Sequence, residues 1–141
     1  MSEGHFIEDL KTGQSASFAK TVTEADIVLF AGVSGDTNPV HLDQTFAEKT
    51  PFKTRIAHGM LSAGFISTVF GTKLPGPGSI YMSQTLRFKA PVKIGDTVVA
   101  TCTVTEIVAE KRRAMFSTIC NVGDTVVIEG EAMIMVPSRN K

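Results

Sequence analysis

The segment from Gly59 to Thr72 is the longest helical candidate in the chain, and it has almost no polar face. Apolar residues occur on all of its sides, and only Ser62, Ser67 and Thr68 interrupt them. A helix of this kind is normally buried, because no side of it can face water at low cost. The rest of the 141-residue chain must therefore wrap around it.

The segments that follow this helix change to a period of two, the pattern of strands. Between residues 80 and 89, one predicted face carries Ile80, Met82, Gln84, Leu86 and Phe88. Leu86 and Phe88 are interpreted as core residues, with a lining role in an acyl tunnel as the alternative. Further strands are predicted at residues 97–110, 114–122 and 125–136, with a tight hairpin at Gly123-Asp124 and a weaker edge strand at 15–22.

Helices followed by a run of consecutive strands indicate the α+β class with an antiparallel sheet. A curved sheet can wrap the apolar helix. The length suits one domain, residues 1–141, in which residues 1–13 show no strong pattern and are expected to be a loose lead-in. A single sheet leaves one face open, so we expect a homodimer that covers it.

Residues 34–41, Ser-Gly-Asp-Thr-Asn-Pro-Val-His, place an acid, an amide and an imidazole in one turn. A helix that begins after the capping residue Thr23 has to end near Gly35, because the proline of this turn disfavours helical backbone before it. Asp36 and His41 are therefore expected on a sharp loop, facing one cavity. An acid and a base of different strength suit proton transfer on one substrate.

Gly59 supplies the second chemical element. If the apolar helix begins there, its free N–H lies at the positive end of the helix, where a developing oxyanion is favoured. A residue without Cβ also lets a carbonyl approach the backbone closely. Proton transfer beside an oxyanion hole suits chemistry next to a carbonyl, and addition of water to an α,β-unsaturated thioester is such a reaction.

The 34–41 string, together with Ala47 and Ala57-His58-Gly59-Met60, resembles the signature of the (R)-specific enoyl-CoA hydratases, in the MaoC-like dehydratase family of hot-dog proteins. The resemblance extends from about Gly13 to Pro137. It implies a single hot-dog domain, in which a curved antiparallel sheet wraps a long central helix and a short-helix segment carries the active site.

The same resemblance implies a mechanism. His41 acts as base on a water that attacks the β carbon of a trans-2-enoyl-CoA. Asp36 orients this water and gives a proton to the α carbon on the same face, which yields the (R)-3-hydroxyacyl-CoA. For this Asp36 has to be protonated, which burial beside apolar helix residues favours. Gly59 N–H polarises the thioester carbonyl. From the residues alone the two proton-transfer roles stay unassigned, because a coupled pair can share them.

Four more residues are candidates for substrate binding. Asn38 is expected to hold the loop, with substrate contact as the lesser role, and Ser34 fits the motif but also suits a helix-end hydroxyl. Ser67 matches a family active-site serine, although a hydroxyl bonded to its own helix is an equal alternative. His58 either orients the Gly59 turn, the favoured interpretation, or takes part in proton transfer.

Composition excludes several other classes. Lys plus Arg number 14 and Asp plus Glu number 14, so a net charge of zero argues against nucleic acid and anionic membrane as partners. The apolar run of residues 56–71 is too short to span a membrane. No metal spacing or cofactor-binding glycine loop occurs, so neither a metal nor a cofactor is predicted. Cys102 and Cys120 are interpreted as reduced core residues of a cytoplasmic protein, since no secretory signal is apparent.

Three alternatives to the hydratase stay open. One is a 3-hydroxyacyl thioester dehydratase that acts on coenzyme A or acyl carrier protein. Another is a hot-dog thioesterase, although such enzymes usually lack the Asp-x-Asn-Pro-x-His string. The last is a non-catalytic acyl-CoA binding module, in which the acid and imidazole would have no purpose.

Overall fold

A computed structural model describes residues 3–140 as four α-helices and six strands. The helices are α1 (Glu24–Ser34), α2 (Pro39–Leu42), α3 (Gln44–Ala47) and α4 (Gly59–Thr72). The strands are β1 (Ser15–Thr21), β2 (Ile80–Gln84), β3 (Arg87–Phe88), β4 (Thr97–Val108), β5 (Arg113–Val122) and β6 (Thr125–Met135). Two short 3-10 turns occupy Ile7–Asp9 and Ala109–Lys111. The predicted α+β class and the predicted strands are confirmed.

The six strands form one antiparallel sheet in the order β1-β4-β5-β6-β2, with β3 also paired to β6. The strand predicted over residues 80–89 is broken in two. The break lies where the main chain passes close to β6, since a Cβ on Gly130 would meet the Thr85 carbonyl oxygen at 1.8 Å. Glycine at this position lets the two backbones approach.

Helix α4 lies against the concave side of the sheet, where it contacts β1, β4, β5 and β6. The rings of Phe70 and Phe116 meet edge to face, with centroids 4.9 Å apart, in the centre of the core. The predicted wrapping of the helix is confirmed on this side only. Met60, Gly64 and Ser67 remain exposed on the other side of α4, because one sheet covers one side of a helix.

The outer strands β2 and β3 are also more exposed than the sequence pattern predicted. Ile80 retains 56% of its accessible surface and Phe88 54%, and Met82 is exposed as well. Phe88 is therefore not a core residue of the chain taken alone, and Leu86 is only partly buried beside the core. Alternation of residue types predicted strands correctly, but it does not show whether the apolar face meets the chain's own core.

The prediction of a loose lead-in over residues 1–13 is wrong for the part that the structure describes, residues 3–13. Ile7 and Leu10 are buried in the main core, on one side of a 3-10 turn. His5 N–H donates to the Pro75 carbonyl at 2.7 Å, and Ile7 N–H donates to the Pro137 carbonyl at 2.8 Å. These two apolar side chains, three residues apart, anchor the segment together with the main-chain bonds. Residues 1 and 2 lie outside the described part.

Helix α1 begins as predicted. Thr23 Oγ1 accepts the Asp26 N–H at 3.1 Å, and Asp26 accepts the Thr23 N–H at 2.9 Å, which is a capping box. Lys20 donates to the same carboxylate at 2.7 Å, and this bond lowers the pKa of Asp26. The helix ends at Gly35, whose φ of 80° is left-handed.

Cys102 and Cys120 are free and fully buried in the core, as predicted. Burial raises the pKa of each thiol to about 12. Among the described helices, none combines the length and the apolar character needed to cross a lipid bilayer.

Candidate active site

Asp36, His41 and His58 come together from three separate segments. Asp36 follows the end of α1, His41 lies in α2, and His58 immediately precedes α4. One polar side-chain atom of each residue lies within 4.8 Å of those of the other two. Asp36 and His41 therefore converge as the sequence predicted, and His58 joins them. Of the three, only His58 lines one of the two cavities described below, so the expectation that Asp36 and His41 face one cavity is not met by this chain alone.

Local hydrogen bonds shape the Asp36 turn. Ser34 Oγ donates to the Phe30 carbonyl at 2.6 Å and accepts the Asp36 N–H at 3.1 Å, so Ser34 ends α1 and holds the next turn. Asp36 Oδ1 accepts the Asn38 N–H at 3.2 Å. The Asp36 side chain is exposed, so this chain alone does not provide the burial beside apolar residues that we expected.

His41 lies on a helix, not on the loop that the sequence predicted. Asn38 caps α2 by accepting the Val40 N–H at 3.0 Å, and Pro39 occupies the first helical position. Proline suits that position because its fixed φ and missing N–H cost nothing there. The residues expected only to interrupt helical structure thus also begin a new helix, and Asn38 holds the turn as predicted.

The orientation of the His41 ring is fixed by the main chain. Its Nδ1 lies 2.8 Å from the Ile56 carbonyl oxygen. A carbonyl only accepts hydrogen bonds, so Nδ1 carries the proton and Nε2 presents a lone pair. The side chain is 8% exposed. This is the tautomer that a general base requires.

Arg55 is a supporting residue that the sequence analysis missed. Its Nε donates to the His41 carbonyl at 2.7 Å, and its guanidinium binds both oxygens of Glu24 at 2.7 and 3.2 Å. Arg55 thereby ties α2 to the first turn of α1. Its partners lie 14 and 31 residues away in sequence, so no local pattern indicates this link.

Gly59 is the first residue of α4, as predicted. Within residues 3–140 its N–H has no hydrogen-bond acceptor. A Cβ at this position would lie 2.6 Å from the Phe88 ring, so the ring packs directly on the glycine. A larger residue here would displace the Phe88 ring, so this neighbouring side chain also favours glycine, besides any approach of a substrate carbonyl.

Ser67 lies apart from the three-residue cluster. It is exposed two turns further along α4 and lines a cavity of about 480 Å³ between this helix and β2. A second cavity, of about 490 Å³, lies beside His58, Gly59 and Phe88. Met60 lines both cavities. The start of α4 therefore separates two spaces, and Ser67 belongs to one of them.

Two imidazoles and a carboxylate also form a possible set of metal ligands. The His41 and His58 rings are stacked, however, with centroids 3.8 Å apart and planes inclined by 29°. One nitrogen of each ring is already bonded to a main-chain carbonyl, His41 Nδ1 to Ile56 and His58 Nε2 to Asp36. The arrangement suits proton transfer better than metal coordination.

Comparison with known proteins identifies relatives over nearly the whole chain. The family described as MaoC-like domain matches residues 7–130. An (R)-specific enoyl-CoA hydratase of Rhodospirillum rubrum is 65% identical over 135 residues, which cover 96% of this chain and 94% of that protein. A 3-hydroxybutyryl-CoA dehydratase of Methylorubrum extorquens is 50% identical and covers 96% of this chain and 87% of its own length.

Solved structures give the same result. An R-hydratase from Pseudomonas aeruginosa, in unliganded form, superimposes with a TM-score of 0.91 at 47% identity and covers 96% of this chain and 88% of that one. The (R)-hydratase from Aeromonas caviae superimposes with a TM-score of 0.89 at 41% identity, over 92% and 99% of the two chains. The fold is therefore that of the hot-dog hydratases, as expected.

Proposed function

This chain belongs to the MaoC-like domain family, and from that premise we propose that it catalyses the reversible syn hydration of trans-2-enoyl-CoA to (R)-3-hydroxyacyl-CoA. It is a hydro-lyase of the enoyl-CoA hydratase type, in keeping with the names of relatives up to 65% identical. One observation carries the catalytic proposal: the carboxylate of Asp36 and the imidazole of His41 converge beside His58, the residue that directly precedes the first residue of α4.

The chemistry follows from the orientation of these groups. His41 Nε2 takes a proton from water, the water oxygen bonds to the β carbon, and Asp36 gives a proton to the α carbon. Return of the proton from His41 to Asp36 completes the cycle, so atoms and charge balance. The Gly59 N–H stabilises the negative charge that develops on the thioester oxygen. Asp36 and His41 act as one coupled pair.

The two cavities suit a thioester substrate. A thioester whose carbonyl lies at Gly59 extends in two directions, as the acyl chain and as the pantetheine arm. One cavity flanks each side of Met60, the residue after Gly59. Apolar residues predominate in both cavities; His58 and Lys89 contribute polar groups to the one beside Phe88, and Ser67, Ser83 and Gln84 contribute them to the other. Asn38, Ser34 and His58 support the catalytic pair from outside these spaces or at their edge.

We propose further that the protein is a cytoplasmic homodimer. The exposed apolar side chains of β2 and β3 and the uncovered side of α4 adjoin one another, and burying them against a second copy removes apolar surface from water. A partner on this side also supplies the burial that favours a protonated Asp36. Two free thiols in the core agree with a reducing compartment.

The decisive experiment measures the loss of enoyl absorbance from crotonyl-CoA. Asp36→Asn and His41→Gln should each lower the hydration rate by about two to four orders of magnitude, because each removes a proton-transfer group. Asp43→Asn and His5→Gln make the same chemical changes outside the cluster and should retain nearly the wild-type rate. Near-normal turnover by Asp36→Asn or His41→Gln would remove that residue from the mechanism.

The dehydratase direction is the second candidate, favoured by the relative named 3-hydroxybutyryl-CoA dehydratase. Assays of 3-hydroxyacyl and enoyl substrates on coenzyme A and on acyl carrier protein separate the direction and the carrier. Release of free thiol would identify a thioesterase instead. Tight acyl-CoA binding with unchanged enoyl absorbance would identify a non-catalytic binding module.

A further inference from the structure

We propose that His58 is a positioning residue that sets the distance between Asp36 and His41. Its imidazole contacts both residues of the catalytic pair, and its own main chain begins the helix that presents Gly59. Its side chain thus touches the Asp36 turn and the His41 ring together. This inference rests on the proposed hydratase function and extends it to a residue that moves no proton.

The first contact is a hydrogen bond to the main chain of the acid. His58 Nε2 donates to the Asp36 carbonyl oxygen at 2.9 Å. The Asp36 turn is otherwise held by bonds from its own neighbours, Ser34 and Asn38. Asn38 also ties this turn to the start of α2, because its side chain accepts the Val40 N–H. The His58 bond spans 22 residues and adds a link from the turn to the start of α4.

The second contact is the ring stack. The His58 ring contacts two other rings, with His41 at 3.8 Å and Phe30 at 4.7 Å between centroids. The residue is 2% exposed, so its ring is fixed by the surrounding packing. Phe30 belongs to α1 and His41 to α2, and their contacts orient the His58 ring so that Nε2 meets the Asp36 carbonyl. A side chain that cannot change rotamer makes a reliable support for catalytic groups.

The protonation of the ring agrees with this role. His58 Nδ1 is buried and has no hydrogen-bond partner among the described residues. A lone pair is cheaper to bury there than an N–H, because an unpaired donor would lose its bond to water. The site thus favours the tautomer with the proton on Nε2, which is the nitrogen that the Asp36 carbonyl requires.

Two substitutions separate the two contacts. His58→Gln keeps an N–H donor at about the position of Nε2 but removes the ring. His58→Phe keeps the stacking ring but removes the donor. If the bond to Asp36 sets the geometry, His58→Phe should lower kcat for crotonyl-CoA by about tenfold to a hundredfold. This is the usual scale for a catalytic group misplaced by about 1 Å. The KM should stay within about threefold of the wild-type value. His58→Gln should retain kcat within about fivefold of wild type.

Equal retention of kcat by both variants, or an equal loss in both, would overturn the proposal. If His58→Phe does not fold, nitrogen-15 NMR of histidine-labelled wild-type protein can instead identify the tautomer of His58. A single slowly exchanging Nε2–H tautomer for His58 supports the bond, and an Nδ1–H or averaging tautomer overturns it. Wild-type protein inactive on every thioester would refute the proposed function, whereas the NMR result would still report on His58.

Discussion

The two edges of the sheet are built in opposite ways. On β1, the side chains that point outward are small or polar, and two hydroxyl pairs, Ser17 with Thr101 and Thr21 with Thr97, bond across to β4 at 2.9 and 2.6 Å. On β2 and β3, the outward side chains are large and apolar, led by Ile80 and Phe88. The β1 edge exposes mainly small and polar side chains, whereas β2 and β3 expose large apolar side chains to solvent.

This difference concerns how each edge of the sheet is protected from pairing with another strand. An edge with unpaired main-chain groups and apolar side chains is ready to pair with another strand, and proteins usually protect such edges with charge or cover. The β1 edge is protected by its polar side chains. The β2 edge lies beside the exposed side of α4, and Phe88 of β3 packs on Gly59 at the start of that helix.

The largest expected effect is on self-association. Ile80→Lys on β2 should weaken the proposed dimer by at least about a hundredfold, because a symmetric interface would bring two added charges together. Sedimentation analysis measures the mass, and the hydration rate should fall with the dimer. Ser17→Lys on β1 is the matched control and should leave both unchanged. Equal effects of the two substitutions, or a monomeric wild type, would refute the assignment of the edges.

A phenylalanine from each edge provides the next comparison. Phe18 of β1 packs on Phe65 of α4 with ring centroids 5.8 Å apart, whereas Phe88 of β3 packs on Gly59. Phe18→Ala should lower the free energy of unfolding by about 2–3 kcal/mol, with little change in rate. Phe88→Ala should lower kcat/KM by about tenfold, since the start of α4 loses its support, with little change in stability. Denaturant melts and crotonyl-CoA assays test both, and a reversed pattern would contradict the comparison.

The smallest expected effect concerns the ion pair that joins the end of β1 to α1. Lys20 lowers the pKa of Asp26 in the folded protein. The ionised carboxylate therefore stabilises the fold at pH values above about 4, the pKa of aspartate in the unfolded chain. This contribution is lost as the pH falls through the lower pKa of the folded state. Asp26→Asn should therefore cost about 1 kcal/mol at pH 7, and less as the pH falls below about 4. Urea melts across this range measure it. A constant difference across the pH series would mean that the charge is not responsible.

Local signals in the sequence predicted most of the fold. The capping box at Thr23, the left-handed Gly35 and the hairpin at Gly123-Asp124 depend on neighbouring residues, and all three are present. Burial was predicted less well, because it depends on which surface an element meets. The buried Ile7 and the exposed Phe88 both show this limit.

The candidate site shows the same division. Asp36, His41 and Gly59 follow from motif and helix position, and the structure brings the first two together. The contacts that hold them come from residues that are distant in sequence. Arg55 bonds to Glu24, 31 residues away, and His58 bonds to Asp36, 22 residues away. No spacing rule identifies such partners, since they depend on how three helices pack.

The burial of the two core thiols has a practical consequence for assays that use a thiol reagent. Because Cys102 and Cys120 are buried, and burial raises their pKa to about 12, almost no thiolate is available to a coloured disulfide reagent. Any colour that develops with the folded protein and an acyl-CoA therefore reports coenzyme A set free by cleavage. In denaturant, the same reagent reacts with Cys102 and Cys120 as unfolding exposes them, so the rate of colour development reports the rate of unfolding.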